Sequence, residues 1–159
     1  MQQSPRKMTS SLNSLIRESR GNVVIELAFL APFLVLLVTG GFDFGRLAIE
    51  QSGVTQAARA GAQFAVLDQA NATDTEGIIQ AARNEAEDIS NSLDITARNF
   101  CRCPGSLDEV SCSDNCPDGQ YAPLYIEVSV TNNDFDFLME YPGVQNPWTL
   151  NAVSTMRVR

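Results

Sequence analysis

The sequence predicts an α+β protein: a long N-terminal helix that starts as a membrane anchor and continues as an amphipathic spine, then a second helix, then a small antiparallel sheet of three or four strands. Three observations predict it. The stretch from Gly21 to Phe42 is apolar with a single charge, Glu26, and roughly 20 such residues at about 1.5 Å rise cross a hydrocarbon core of about 30 Å. Apolar and small residues then recur at three- and four-residue spacing through Ala65, the period of one helix face. Beyond Leu93 the period falls to two, as in strands that bury one face.

Residues Met1 to Arg20 are polar, contain Pro5 and clusters of Ser, Thr and Asn, and read as a leader poorly ordered on its own. The leader carries Arg6, Lys7, Arg17 and Arg20 against Glu18, whereas the chain after Phe42 has seven arginines against 17 acids, a balance of −10. The positive-inside bias therefore places the N-terminus in the cytoplasm and the C-terminal part outside. So acidic a domain has no Lys/Arg face to neutralise phosphates, which argues against nucleic acid as a partner. The expected organisation is a leader over 1–21, a transmembrane helix over 22–42 and an extracytoplasmic domain over 43–159 with a cysteine-rich loop at 101–116. The outer part, about 115 residues, is enough for one modest core. A removed secretory signal is the rival reading, with Thr39-Gly40-Gly41 as its cleavage site. Its apolar region would usually be shorter, about 7 to 15 residues, and here the helical pattern continues past it.

Glu26 is the most informative residue. A carboxylate near the bilayer midplane costs a few kcal/mol and marks a function or a partner, but this one is shallow. If the chain were cut after Gly21, Asn22 would become the first residue and Glu26 the fifth, about 6 Å along a helix from the new amino group. That amine, with a pKa near 7.7 to 8.0, would be largely positive at neutral pH and could pair with Glu26 of its own or a neighbouring chain. The orphan N–H groups and positive dipole end of the new helix start also favour an acid there. The plain alternative is that Glu26 lies at the interface of an ordinary anchor.

Pro32 falls inside this helix and removes one backbone bond, either bending the anchor or setting its packing against neighbours. Past Gly40-Gly41, residues Phe44, Leu47, Ala48, Gln51, Val54, Thr55, Ala58, Ala62 and Ala65 fall near one face, and Ala57, Ala58, Ala60, Gly61 and Ala62 allow close approach. Arg46 is expected at the outer lipid headgroups. Asp43-Phe44-Gly45 has no kinase meaning, since the other elements of that fold are absent. A polar break at Asp68 to Thr73 precedes a second helix, capped by Thr73 or Thr75 and running to about Ser90. Its buried stripe is Ile78, Ile79, Ala82, Ala86 and Ile89, and Glu76, Arg83, Glu85, Glu87 and Asp88 face water. Strands follow at Leu93 to Cys103, with Leu93, Ile95, Ala97 and Asn99 on one side, and at Tyr121 to Thr131. Asn132-Asn133 reads as a turn into a further β segment with Phe135, Phe137 and Leu138. After a loop from Tyr141 to Pro147, Trp148 to Val158 closes the chain as a strand with Leu150, Ala152, Ser154, Met156 and Val158 on one face.

Cys101, Cys103, Cys112 and Cys116 bracket a loop rich in Pro, Gly and Ser. Four thiolates at this spacing could hold zinc. An extracytoplasmic location favours two structural disulfides instead. Cys101 and Cys103 lie on the same side of a strand, so each is expected to bond to one of Cys112 and Cys116. Four cysteines permit three connectivities, and the pairing stays open.

Catalysis has little to work with. There is no histidine, so His-based acid/base chemistry, triads and most catalytic metal sites are out of reach. Asp134 with Asp136 could be drawn as a carboxylate dyad, or with Asp114 and Asp118 as calcium ligands, but nothing orients them and turn or solvated roles are favoured. No enzyme and no cofactor are called for, with calcium left open.

A short basic leader, Gly21, four uncharged residues, Glu26 and an apolar run together resemble a type IV prepilin signal. In that family a membrane aspartyl peptidase cuts after the glycine on the cytoplasmic side. Glu26-Leu27-Ala28, Leu30-Ala31-Pro32, Asp43-Phe44-Gly45-Arg46 and Ala57-Ala58-Arg59-Ala60-Gly61-Ala62 narrow the likeness to TadE-like pseudopilins of tight-adherence (Flp-type) pilus systems. One position departs, Leu27, where the family more often has an aromatic. The resemblance implies a pilin-like fold, cleavage between Gly21 and Asn22 by a prepilin peptidase, and a subunit-assembly role for Glu26. Its implied partners are other pilins or pseudopilins and the assembly platform at the inner membrane, and some members carry a similar cysteine loop. The implied function is a minor pseudopilin in pilus assembly for surface adhesion. Two other readings are an unprocessed single-pass protein with an extracytoplasmic ligand-binding or sensing domain, and a secreted hydrolase, for which no catalytic constellation is present.

Overall fold

The computed structural model describes residues 19–87, 89 and 92–158. Arg6, Lys7, Arg17 and Glu18 of the leader, together with Asp88 and Ser90 of the second helix, lie outside the described residues. One helix, α1, runs Ser19–Leu67 and passes through Pro32. The chain clusters into two units, Met1–Gly41 and Phe42–Arg159.

In the first unit, every residue from Val23 to Val38 is exposed. A helix apolar on all sides with nothing packed on it lacks the polar face that would suit it to water. Thr39 returns its hydroxyl to the Val35 carbonyl at 2.8 Å, which satisfies the only hydroxyl between Val23 and Phe42 within the helix itself.

The second unit is an α+β layer pair. From α1 it buries Val54, Ala57, Ala58, Gly61, Ala62 and Ala65. Phe44 and Ala48, expected on that face, are exposed, whereas Leu47 packs against the edge of the core. A 3-10 turn at Asn71–Thr73 leads into α2, Thr75–Glu85. The cap is neither threonine but Asp74, whose carboxylate accepts from the Gly77 N–H at 3.0 Å. An aspartate there adds charge–dipole attraction to the capping bond. The helix stops at Glu85, short of the expected Ser90, where the Ala86 N–H turns back to the Arg83 carbonyl. Ile78 and Ala82 are its buried residues, and Ala86 is buried just past its end.

The sheet has four antiparallel strands, β1 (Asp94–Arg102), β2 (Glu109–Val110), β3 (Leu124–Phe135) and β4 (Trp148–Arg157), in the order β2-β1-β3-β4. Ile95, Ile126, Val128, Val130 and Leu150 face the helices. The expected turn at Asn132-Asn133 is instead part of β3, with a register shift between Asn132 and Phe135. Asn132 is buried, donates to Glu50 Oε2 at 3.4 Å and accepts from the Asp134 N–H at 3.0 Å. Those contacts hold a turn-forming residue inside a bulged strand. Phe137 and Leu138 consequently lie beyond the strand rather than in a second one.

Gly61 marks the closest approach of the layers. A Cβ there would meet Ala82 Cβ at 3.1 Å, the Ile78 carbonyl oxygen at 3.1 Å and Val128 Cγ1 at 3.2 Å, and the first two cannot rotate away. Gly61→Val is expected to cost about 2–3 kcal/mol through overpacking. At Gly53 the facing atoms are the tip of the Ile89 side chain, so Gly53→Ala should be near neutral. Urea melts of the two variants check the contrast.

Candidate functional site

Three features carry chemistry or recognition. The first is the start of α1. The Gly21–Asn22 bond lies within its first turn, where backbone N–H groups have no helical partner and the end frays most readily. Glu26 follows one turn later, exposed, with no hydrogen bond or ion pair among the described residues. From Val23 to Val38 it is surrounded only by exposed, mostly apolar side chains, and this is the one described helix long and apolar enough to cross a membrane.

The second feature belongs to the Phe42–Arg159 unit, and its residues were named from sequence only as a family signature, without their partners. Asp43 is fully buried. Its Oδ1 accepts from the Leu138 N–H at 3.0 Å and its Oδ2 from the Tyr141 hydroxyl at 2.9 Å. Three residues on, Arg46 sets its guanidinium 5.4 Å from the Phe135 ring centroid and donates to the Asp136 carbonyl at 3.4 Å. It also lies 3.9 Å from Glu50. Arg46, expected among lipid headgroups, has its side chain engaged by the protein's own loop. The Phe137 N–H donates to Asn146 Oδ1 at 3.1 Å, and Phe137 packs edge-on against Phe135 at 5.1 Å and Tyr141 at 5.7 Å. The Asp43-Phe44-Gly45-Arg46 segment is thus the fastening for the 136–147 loop. Burial first, and then the hydrogen bond to Asp43 and its charge, push the Tyr141 phenol above its ordinary pKa. The sequence signal for this latch was an acid immediately after a long apolar run, matched by an unspecialised tyrosine nearly a hundred residues away.

The third feature is the cysteine loop. Cys101 pairs with Cys112 and Cys103 with Cys116, so all four thiols are spent in disulfides and none is left for zinc. With Ala122, three of these sulfurs form a small separate core flanked by Val110 and Leu124. Beside it, Arg98 bridges Glu127 and Glu109, each at 2.7 Å, and those two bonds hold its guanidinium still more firmly protonated. Asp114 accepts from the Ser111 N–H, Asp118 from the Gln120 N–H, and Asp134 pairs with the Ser92 hydroxyl. Asp114 and Asp118 serve turns locally and Asp134 reaches a distant serine, and among the described residues no three His, Cys, Asp or Glu side chains gather as metal ligands.

No curated protein and no solved structure gives a significant match to the chain. Residues 21–63 match the family model of TadE-like protein. The matched stretch opens on Gly21 and takes in Glu26, Pro32, the Asp43–Arg46 fastening and Gly61 at the helix–sheet contact. Over those residues the chain is similar to TadE-like proteins, which is consistent with a component of the tight-adherence pilus system.

Proposed function

We propose that this protein is a minor pseudopilin: a prepilin peptidase cuts after Gly21, and the mature chain, beginning at Asn22, takes part in assembling tight-adherence (Flp-type) pili for surface adhesion. The observation that carries the reading is the family match over residues 21–63, which begins at the glycine and sets Glu26 five residues beyond it on an unpartnered apolar helix. The basic leader stays in the cytoplasm. The acidic domain lies in the periplasm, where its two disulfides persist. The protein is an assembly component of the inner membrane rather than an enzyme, and its partners are the peptidase, other pilins or pseudopilins and the assembly platform.

N-terminal sequencing and intact mass of protein from native membranes, with and without the cognate peptidase, test the proposal. The expected chain begins at Asn22 only when the peptidase is present. Met1 retained in both strains would replace this reading with an unprocessed, anchored binding or sensing domain. Once cleavage is established, Glu26→Gln tests the register role. The new amine and Glu26 of a neighbour form a charge pair in a dry setting, so the neutral variant is expected to be cleaved normally and to assemble at least tenfold less pilus. Normal piliation of the Glu26→Gln strain would remove Glu26 from the mechanism.

A further inference from the structure

The connection between β3 and β4 in the Phe42–Arg159 unit carries an apolar surface that neither the latch to Asp43 nor leader cleavage uses. Its descent along α1 is fixed by contacts. Phe135 and Asp136 meet Arg46, whereas Leu138 and Tyr141 meet Asp43, three residues or about 4.5 Å nearer the start of the helix. The connection is therefore the end of this unit next to Phe42. The opposite end of the sheet, where β3 begins, lies the length of a 12-residue strand away, about 40 Å.

Its composition departs from the rest of the unit. Residues 137–148 read Phe-Leu-Met-Glu-Tyr-Pro-Gly-Val-Gln-Asn-Pro-Trp, with Glu140 as their single charge, in a part of the chain that otherwise mixes arginines with many acids. Phe137 is spent inside, against Phe135 and Tyr141. Leu138 instead is 62% exposed, and Val144 and Trp148 are each 40% exposed. Phe44, whose ring lies 6.4 Å from that of Tyr141, is 61% exposed. The Val144 N–H donates to the Tyr141 carbonyl at 3.1 Å, and Trp148 lies 6.4 Å from Phe137. Leu138, Val144, Phe44 and Trp148 thus make an uncharged apolar rim beside the start of the unit.

What covers this rim is decided by its neighbour in the chain. The run from Val23 to Phe42 has roughly the 20 residues that a bilayer core requires, and Asp43 is the first charge after Glu26. A bilayer spanned by that run ends at Asp43, whose carboxylate holds the Leu138 N–H at 3.0 Å. Leu138 therefore stays at the lipid boundary however the unit is tilted. We propose that residues 137–148, together with Phe44, bed into the interface of the leaflet from which α1 emerges, a lipid surface and not a protein. Tyr141 and Trp148 combine an apolar body with a polar tip, which suits that depth, and Leu138 and Val144 add apolar area that water would otherwise cover. Bonding Asp43 within the protein also keeps its carboxylate from facing hydrocarbon. The contact gives the unit a second hold on the bilayer and so restrains its tilt. The inference rests on α1 crossing a bilayer, and not on leader cleavage or pilus assembly.

The test uses the full chain in phosphatidylcholine vesicles, with flotation to establish incorporation and the fluorescence of the single tryptophan, Trp148, as the readout. Lipid brominated high on its acyl chains is expected to quench Trp148 at least about twofold, and lipid brominated near the chain ends much less, as an interfacial ring requires. Trp148→Phe with Tyr121→Trp moves the fluorophore to an exposed position just before β3, at the far end of the sheet, and should show no quenching. Leu138→Asn with Val144→Asn changes two outward side chains and should lower the Trp148 quenching at least about twofold, with hydrogen-exchange protection of Val128 and Val130 unchanged. The first two measurements do not depend on that variant folding. A chain that fails to float with the vesicles would overturn the membrane reading and this inference together. With a chain that floats, three results would each overturn the inference alone: Trp148 unquenched by either lipid, whether open to aqueous iodide or shielded by a second copy; the Tyr121→Trp fluorophore quenched as strongly; or full quenching in the folded double variant.

Discussion

Alanine in place of Asp43 is expected to lower the unfolding free energy of the Phe42–Arg159 unit by about 2–4 kcal/mol. The carboxylate is fully buried, and both its oxygens are engaged, by the Leu138 N–H and the Tyr141 hydroxyl. Truncation leaves the donors of two part-buried bonds without their acceptor, each costing up to about 1–3 kcal/mol. Removing a charge that was expensive to bury recovers part of that, which is why the estimate stays below the sum. Asparagine keeps the shape and can still accept from Leu138, so Asp43→Asn should lose about half as much. The single tryptophan, Trp148, reports on this region because its ring lies 6.4 Å from Phe137. A urea melt of the full chain in detergent, followed by that fluorescence, gives the midpoints. Equal midpoints for wild type and Asp43→Ala would mean that the loop holds without its fastening.

The same contact makes alkaline stability depend on Tyr141. Its phenol is pushed above the ordinary value of about 10 by burial and by the bond to, and charge of, Asp43. In the folded state the neutral form is thus favoured more than in the unfolded chain. The stability this lends is fully present below about pH 10 and is lost as pH rises through the higher folded value. The wild-type midpoint is therefore expected to fall above pH 10, and Tyr141→Phe, which has no proton to lose, should remove that share of the decline. Parallel alkaline slopes in the two proteins would exclude Tyr141 as the group responsible.

The parts of this molecule legible in its sequence are those written locally. The apolar run and the alternation of Ile126, Val128 and Val130 state their own structure, and a C-x-C pair on one strand face restricts its partners by geometry alone. What sequence hid was decided by distant residues. Asn132-Asn133 has turn chemistry, yet Glu50 of α1 takes its amide and keeps the strand going. The two-residue β2 is too short to show a period, and it pairs with β1 between two disulfides. Asp43 looked like one member of a signature, and only the fold brings it to Tyr141. The partners of Arg46 were hidden for the same reason, because the ring and carbonyl that hold it come from residues about ninety positions later.

Removing both disulfides, by reduction or as a four-serine variant, is expected to cost about 2–4 kcal/mol and to act unevenly. Each bridge closes a short loop, with sequence separations of 11 and 13 residues, and chain-entropy arguments give about 3 kcal/mol for each loop of that size. The full sum is not expected. Residues 103–122 are held mainly by the sulfurs themselves, which form most of the small core beside Ala122. Without the bridges that segment opens in the folded state too, gaining back entropy that a rigid native loop would forgo. The main core is built from Ile95, Ile126, Val128 and Val130 against α1 and α2 and contains no cysteine, so it should survive. Hydrogen exchange on the full chain separates the two regions. Amides of Cys116, Gly119 and Ala122, now bonded to Gln120, Cys116 and Asp114, should lose protection on reduction, whereas those of Val128 and Val130 should keep most of theirs. Uniform loss across both sets would mean that the bridges support the whole sheet, and the cysteine loop would then have to be treated as part of the main fold.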